Sequence, residues 1–233
     1  MSESERRIET ALARNHALAE RTREAGFPGP AFDALQSWQR ERLAVTYADL
    51  LEEEQFRAAG RFFLDELYGG LAFRERDQQV VKVLPVMKRT MPDYMLHALA
   101  RAFELQALSL DLDLAMTDCL VSRGDSGLDT AVYRDIYRQI GREADRRQQI
   151  DLIRDLGLEL TRLVRRRLVM NLVRLLRLPA RASGFGKLQD FLEQGLWSFR
   201  KMKDGPRFVN TVYERETVIM QGLMQGSDSP FTT

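Results

Sequence analysis

The stretch that decides the fold is DYMLHALARAFELQALSLDLDLAMTDCLV, residues 93–121. Apolar side chains cover most of its circumference when it is drawn as a helix. A helix that is apolar nearly all round belongs in the middle of a bundle, where other helices surround it. Residues 93–121 are therefore predicted to form the central helix of an all-α protein.

Helical patterns with short breaks occupy the rest of the chain. The 7 Pro and 15 Gly residues fall in a few places, as breaks between long helices, and no alternating apolar run of strand length is found. We therefore expect an all-α fold, a compact bundle of about eight or nine mostly antiparallel helices. The other predicted helices span residues 4–24, 33–50, 55–70, 74–89, 128–156, 158–178, 188–202 and 208–224. Asp33 is the predicted N-cap of the second helix. A kink is expected at Gly157 and a loop over residues 179–186.

Three parts are predicted along the chain. Residues 1–30 form a charged N-terminal helix or arm with its linker, residues 31–226 form the helical bundle domain, and residues 227–233 form a flexible tail. The first helix carries only a narrow apolar stripe. We expect it to dock on the bundle or on a second copy of the chain.

Composition narrows the class of protein. The 35 Lys+Arg residues nearly balance the 34 Asp+Glu residues, which argues against a general nucleic-acid binder. A single cysteine, Cys119, excludes a disulfide framework, and with two distant histidines it cannot make a zinc site of familiar spacing. The charged start MSESERRIE has no signal-peptide core, and no apolar run reaches the roughly 18 residues of a membrane span. These features predict a cytoplasmic protein with neither metal nor cofactor.

Positive charge is concentrated in one part of the chain. Residues 160–203 carry 11 Lys+Arg and two acidic residues, a net charge of +9, which leaves −8 for the remainder. Such a surface suits an acidic protein partner, a phosphate or an anionic lipid, although acidic helices of the same fold could also neutralise it. No stacking aromatic residues are interleaved with the arginines, which disfavours nucleic acid. The basic surface predicted on one side of the helix comprises Arg162, Arg165, Arg166 and Arg177.

Arg167 and Asn171 lie one turn apart within the apolar arc of predicted helix 158–178. A buried guanidinium needs a partner, since an unpaired buried charge is costly. Glu216 interrupts the apolar seam of the last helix, so we expect an Arg167–Glu216 pair that fixes the helix register. The alternative is a ligand pocket lined by Arg167, Asn171, Glu216 and His97, in which Arg167 binds a carboxylate or a phosphate.

Haem ligation by His97 or His16 is left open.

Two further patterns are considered. The loop PARASGFGK places Arg181, Gly184, Gly186 and Lys187 near a helix start, a candidate anion site that lacks the spacing of a nucleotide-binding loop. The central helix also carries a polar stripe that includes His97. We interpret it as a solvated face with salt bridges between helices, rather than as a catalytic base with its carboxylate.

Three segments carry a resemblance to a known family. RFFLDELYGG (61–70), RAFELQALSLDLD (101–113) and the ending that begins FLEQGLWSFRKM (191–202) resemble a family of uncharacterised all-helical bacterial proteins. The resemblance covers most of the chain after about residue 35. It implies a bacterial cytoplasmic protein and brings no activity, cofactor or catalytic residue.

No motif of catalytic spacing is found, which favours a non-enzymatic interaction or regulatory protein acting through protein–protein contacts. The basic helix set against an acidic body suggests a homo-oligomer, a dimer, or an acidic protein partner. One alternative is a ligand-binding or enzymatic bundle with a core pocket. Another is a basic helix that contacts an anionic membrane or nucleic acid.

Overall fold

The computed structural model of the protein describes residues 2–67, 88–89, 91–124 and 127–231. These residues contain ten α-helices and no β-strand, which confirms the all-α prediction. The predicted helix 74–89 lies, apart from residues 88–89, outside the described residues. The helices are α1 (Glu3–Arg21), α2 (Gly29–Thr46), α3 (Ala48–Glu52), α4 (Glu54–Phe62) with a π-helical turn at Phe63–Leu67, α5 (Asp93–Arg123), α6 (Thr130–Ile140), α7 (Glu143–Leu163), α8 (Arg167–Ala182), α9 (Gly186–Lys201) and α10 (Gly205–Gln225).

Helix α5 is the centre of the bundle, as predicted. Helices α1, α2, α6 and α7 all pack on it. Its residues Leu112, Leu114 and Met116 are completely buried. The near-continuous apolar surface of α5 is therefore used on several sides at once.

Helices α5, α7 and α10 run antiparallel in succession. Contacts between α5 and α7 join His97 to Glu159 at one end and Ser109 to Gln149 further along. Helices α7 and α10 also run antiparallel to each other. Helices α8 and α9 form an antiparallel hairpin.

Helix α1 runs parallel to α5, against the antiparallel trend. Its arginines pair with acids that each lie 97 positions later, at steps of seven residues. Apolar residues of α1 pack against Leu96, Ala100 and Phe103 of α5. The N-terminal helix is thus docked on the bundle of its own chain. The three pairs are Arg7–Glu104, Arg14–Asp111 and Arg21–Asp118.

The kink predicted at Gly157, between two helices, is wrong. Helix α7 continues through Gly157, and the chain breaks at Gly141, whose φ is 74°. Gly157 serves close packing instead, since a Cβ there would lie 2.8 Å from Cγ2 of Val209 on α10. A second break, at residues 164–166, separates α7 from α8.

Two other boundaries differ from the expectation. Helix α2 begins at Gly29 rather than at Asp33, because Pro30 in its first turn needs no hydrogen-bond acceptor for its nitrogen. Helix α8 passes through Pro179 to Ala182, so the expected loop over 179–186 shrinks to three residues.

The tail is anchored rather than loose as far as Phe231. The ring of Phe231 lies 5.7 Å from that of Trp38 and 6.2 Å from that of Tyr133. Tyr133 belongs to the buried cluster formed by α2, α5, α6, α7 and α10, and Trp38 packs against that cluster. None of the described helices has the length and apolar character that a bilayer span needs.

Candidate functional site

The first candidate site is the surface of the α8–α9 hairpin. The four arginines of the predicted basic surface, Arg162, Arg165, Arg166 and Arg177, are all exposed. Some of the charge is balanced inside the hairpin: Arg177 binds Glu193 through two hydrogen bonds and Arg181 binds Asp190 at 2.8 Å. The hydrogen bond from Arg177 holds the pKa of Glu193 below its usual range.

Other arginines of this surface have no acidic partner among the residues that the structure describes. Arg166 lies over the ring of Tyr94 at 4.3 Å, and Arg174 over that of Trp197 at 4.9 Å. Within the described part of the chain, Arg162 and Arg167 form no ion pair. A positive charge therefore remains on the solvent side of the hairpin.

Exposed leucines lie beside these arginines on α8. Leu168, Leu175 and Leu178 are 60%, 74% and 78% exposed. The opposite side of α8 is buried through Val169 and Val173. An amphipathic helix normally turns its apolar stripe inward, but α8 has a second apolar stripe that faces solvent. We define the arginine–leucine face as Leu168, Leu175 and Leu178 together with Arg167, Arg174, Arg177 and Arg181.

The predicted core pocket of Arg167, Asn171, Glu216 and His97 is not formed. Arg167 and Asn171 are exposed, because the break at 164–166 resets the rotational phase of the helix that carries them. Glu216 pairs with Arg42 of α2 instead of Arg167. His97 turns to α7, where its Nδ1 lies 3.3 Å from Glu159. The four residues are thus divided among three places.

The candidate anion site is partly occupied by the protein itself. Gly184, with φ 81°, makes the turn between α8 and α9, and α9 begins at Gly186, two residues before the predicted start at 188. Arg181 donates one hydrogen bond to Asp190, so part of its charge is already balanced at that turn. Lys187 follows in the first turn of α9.

The second candidate site is a polar cavity in the core that the sequence did not predict. Its volume is about 50 Å³, and it lies between α2, α5, α6, α7 and α10. Two carboxylates, two guanidinium groups and two carboxamides converge on it. Its polar lining consists of Gln39, Arg42, Ser109, Asp113, Tyr133, Tyr137, Arg146, Gln149 and Glu216.

Asp113 is the buried carboxylate of α5. It is 8% exposed and accepts hydrogen bonds from the amides of Gln39 at 3.1 Å and Gln36 at 3.4 Å. Burial raises the pKa of Asp113, and the positive charge of Arg146 opposes part of this rise. Within the described part of the chain, the carboxyl group is held by two neutral amides rather than by a salt bridge.

Arg146 of α7 is the matching buried cation and is 5% exposed. Its Nη1 donates to Oε1 of Gln149 at 3.2 Å, and its Nη2 lies 2.9 Å from the sulfur of Met116. Its guanidinium stacks over the ring of Tyr137 at 4.6 Å, and burial raises the pKa of that phenol. The Nε of Arg146 and the Oε1 of Gln39 are buried without a hydrogen-bond partner among the described residues.

The sequence contains a faint signal for this cavity. Asp113 interrupts the most apolar stretch of the chain, on the side of α5 opposite the predicted polar stripe. Arg146 stands in a run of charged and polar residues that reads as a solvated face. Only the packing of α5 against α7 shows that Arg146 points inward.

Residues 19–230 match the family model described as a domain of unknown function, DUF8198. The chain therefore belongs to this family, and both candidate sites lie within the matched residues. None of the curated proteins and none of the solved structures matches the chain.

Proposed function

We propose that this member of the family is a non-enzymatic interaction protein that docks through the arginine–leucine face of α8. The observation that carries the proposal is the solvent exposure of Leu168, Leu175 and Leu178 in a row beside arginines. Burying such leucines stabilises a complex by about 1.5–3 kcal/mol each. Arginines at the edge of an apolar patch select a partner of opposite charge.

The partner that we propose is an acidic surface on a second copy of the chain. Outside residues 160–203 the chain carries a net charge of −8, which complements the +9 of the hairpin region. Two arginine–leucine faces would repel each other, so a symmetric contact of α8 with α8 is disfavoured. The contact is therefore heterologous, between the basic face of one copy and the acidic body of the next.

Sedimentation velocity over a range of protein concentrations tests this proposal. We expect association at low salt that weakens in 0.5 M salt, because exposed charges are screened. Leu175→Glu, which places an acid in the middle of the face, should leave the protein monomeric. Val121→Glu is the matched control, since Val121 is 50% exposed on α5, away from α8. A monomer at all concentrations at low salt, or equal effects of the two variants, would contradict the proposal.

An anionic membrane is a second candidate partner, and the same exposed leucines favour it. A helix with leucines and arginines side by side can lie in the headgroup region of a bilayer. Co-sedimentation with vesicles of phosphatidylcholine and phosphatidylserine tests this function. Binding to the anionic vesicles that is lost in Leu175→Glu and absent with pure phosphatidylcholine would favour the membrane over the second copy.

A further inference from the structure

The core cavity has the chemical character of a ligand site that is independent of the α8 face. It contains a buried donor, Nε of Arg146, and a buried acceptor, Oε1 of Gln39, that the described residues leave unpaired. Leaving such groups unpaired costs about 1–3 kcal/mol each. An occupant that accepts a hydrogen bond at one end and donates one at the other would satisfy both the unpaired donor and the unpaired acceptor.

The charges around the cavity fit an occupant that carries both a positive and a negative charge. Arg42 and Glu216 neutralise each other, at 2.6 Å. Arg146 and Asp113 are buried and of opposite charge, yet they form no ion pair with each other among the described contacts. A single anion or cation would satisfy only one of the two.

We propose that the cavity binds a small zwitterion of the size of glycine. Its carboxylate accepts from Nε of Arg146, and its ammonium group donates to Oε1 of Gln39 and to the carboxylate of Asp113. Arg146 is kept in place by Gln149, which in turn donates to the hydroxyl of Ser109 at 2.8 Å. The cation end of the site is thus oriented by a chain of three side chains.

The size of the cavity sets the size of the ligand. One water-sized group needs about 10–15 Å³ of such volume, so a cavity of about 50 Å³ holds about three to five groups. Glycine has five non-hydrogen atoms, which is the upper end of this range. The apolar lining of Ile150, Ile219, Met220 and Leu223 leaves no room for a long side chain.

Thermal unfolding and isothermal titration calorimetry with four probes test the proposal on the full chain. At a hundredfold excess over its Kd, glycine should raise Tm by about 5–10 °C. Glycolate lacks the ammonium group, methylamine lacks the carboxylate and leucine is too large, so none of the three should shift Tm. Equal shifts with all four probes, or no shift with glycine, would overturn the proposal and identify the cavity as a water-filled polar layer.

Paired variants locate the binding. Gln39→Leu removes the acceptor and Gln149→Leu releases Arg146, so each should weaken glycine binding about ten- to hundredfold. Gln148→Leu is the matched control, because Gln148 is exposed beside Gln149 on α7. If a core variant fails to fold, ligand-observed NMR of glycine with the wild-type protein decides the matter, and an absence of saturation transfer excludes binding. Equal affinity in Gln149→Leu and Gln148→Leu would place any binding elsewhere.

Discussion

Arg42 of α2 and Glu216 of α10 form an ion pair with two hydrogen bonds, of 2.6 and 3.3 Å. The hydroxyl of Tyr47 donates to the same carboxylate at 2.7 Å. The two charged side chains are only 11% and 16% exposed. The pair therefore joins the second helix to the last one at the edge of the core cavity.

Removal of one partner of this pair should be strongly destabilising. Glu216→Gln leaves the guanidinium of Arg42 with a neutral partner in a largely buried place, and we expect a loss of about 3 kcal/mol in the free energy of unfolding. Urea denaturation measures the loss. Glu214→Gln, at an exposed position of the same helix, is the control and should change stability by less than about 0.5 kcal/mol. Similar losses in both variants would show that the pair has no special role.

Gly157→Ala tests the close approach of α7 and α10. Alanine favours a helix by about 1 kcal/mol over glycine, so an uncrowded site would be stabilised. Here the new Cβ would meet both methyl groups of Val209, at 2.8 and 3.0 Å, and we expect a net loss of about 1–3 kcal/mol. Adding Val209→Ala should recover part of the loss, as measured by a double-mutant cycle of urea denaturation. A stabilised single variant would contradict the crowding.

Two of the aspartates of α5, Asp113 and Asp111, should respond to pH in opposite directions. Burial raises the pKa of Asp113, so the stability that it contributes is present below the unfolded value of 3.8 and is lost as pH rises through the raised pKa. The free energy of unfolding of Asp113→Asn should therefore improve relative to wild type as pH rises from 4 to 7.

Asp111 is the matched control for this pH dependence. Burial by itself would raise the pKa of Asp111, but hydrogen bonds from Arg142 and Arg14 lower it overall. Its contribution is present above pH 3.8 and is lost as pH falls through the lowered pKa. Asp111→Asn should therefore be more destabilising at pH 7 than at acid pH, which urea denaturation at several pH values measures. Parallel pH profiles for the two variants would contradict both assignments.

The attachment of α1 should depend on its apolar contacts more than on its ion pairs. Leu12 is buried against α5, so Leu12→Ala should reduce the free energy of unfolding by about 2–5 kcal/mol. Arg14 is half exposed, and Arg14→Gln should cost at most about 1 kcal/mol. Thermal denaturation of the two variants measures the difference, and a larger loss in Arg14→Gln would reverse this ranking.

The fold class and the central position of α5 could be predicted from the sequence, because apolar periodicity records which helix is buried on several sides. The direction of α1 could not be predicted, because parallel and antiparallel docking on α5 would bury the same apolar stripe. Only the ion pair of Arg7 with Glu104 distinguishes the two directions. The break at 164–166 was also missed, because no Gly or Pro marks it. That break moved Arg167 from the expected seam to the surface.

The core cavity was beyond sequence reasoning for a different reason. Gln39, Asp113 and Arg146 come from three helices that are distant in the chain, and each is polar enough to be read as exposed. Glu216 does interrupt the apolar seam of the last helix, but its partner is Arg42 of α2 and not Arg167. Periodicity shows which residues turn inward and does not show which ones meet.

The parallel docking of α1 on α5 has a consequence for the folding of the chain during synthesis. The acidic partners of α1 are made 97 residues after its arginines, about 5–20 s later at ordinary translation rates. Until then the apolar stripe around Ile8 and Leu12 has no α5 to cover it. The capping box between Ser2 and Glu5 uses only residues of α1 and its N-cap, so the cap of this helix does not depend on the later arrival of α5.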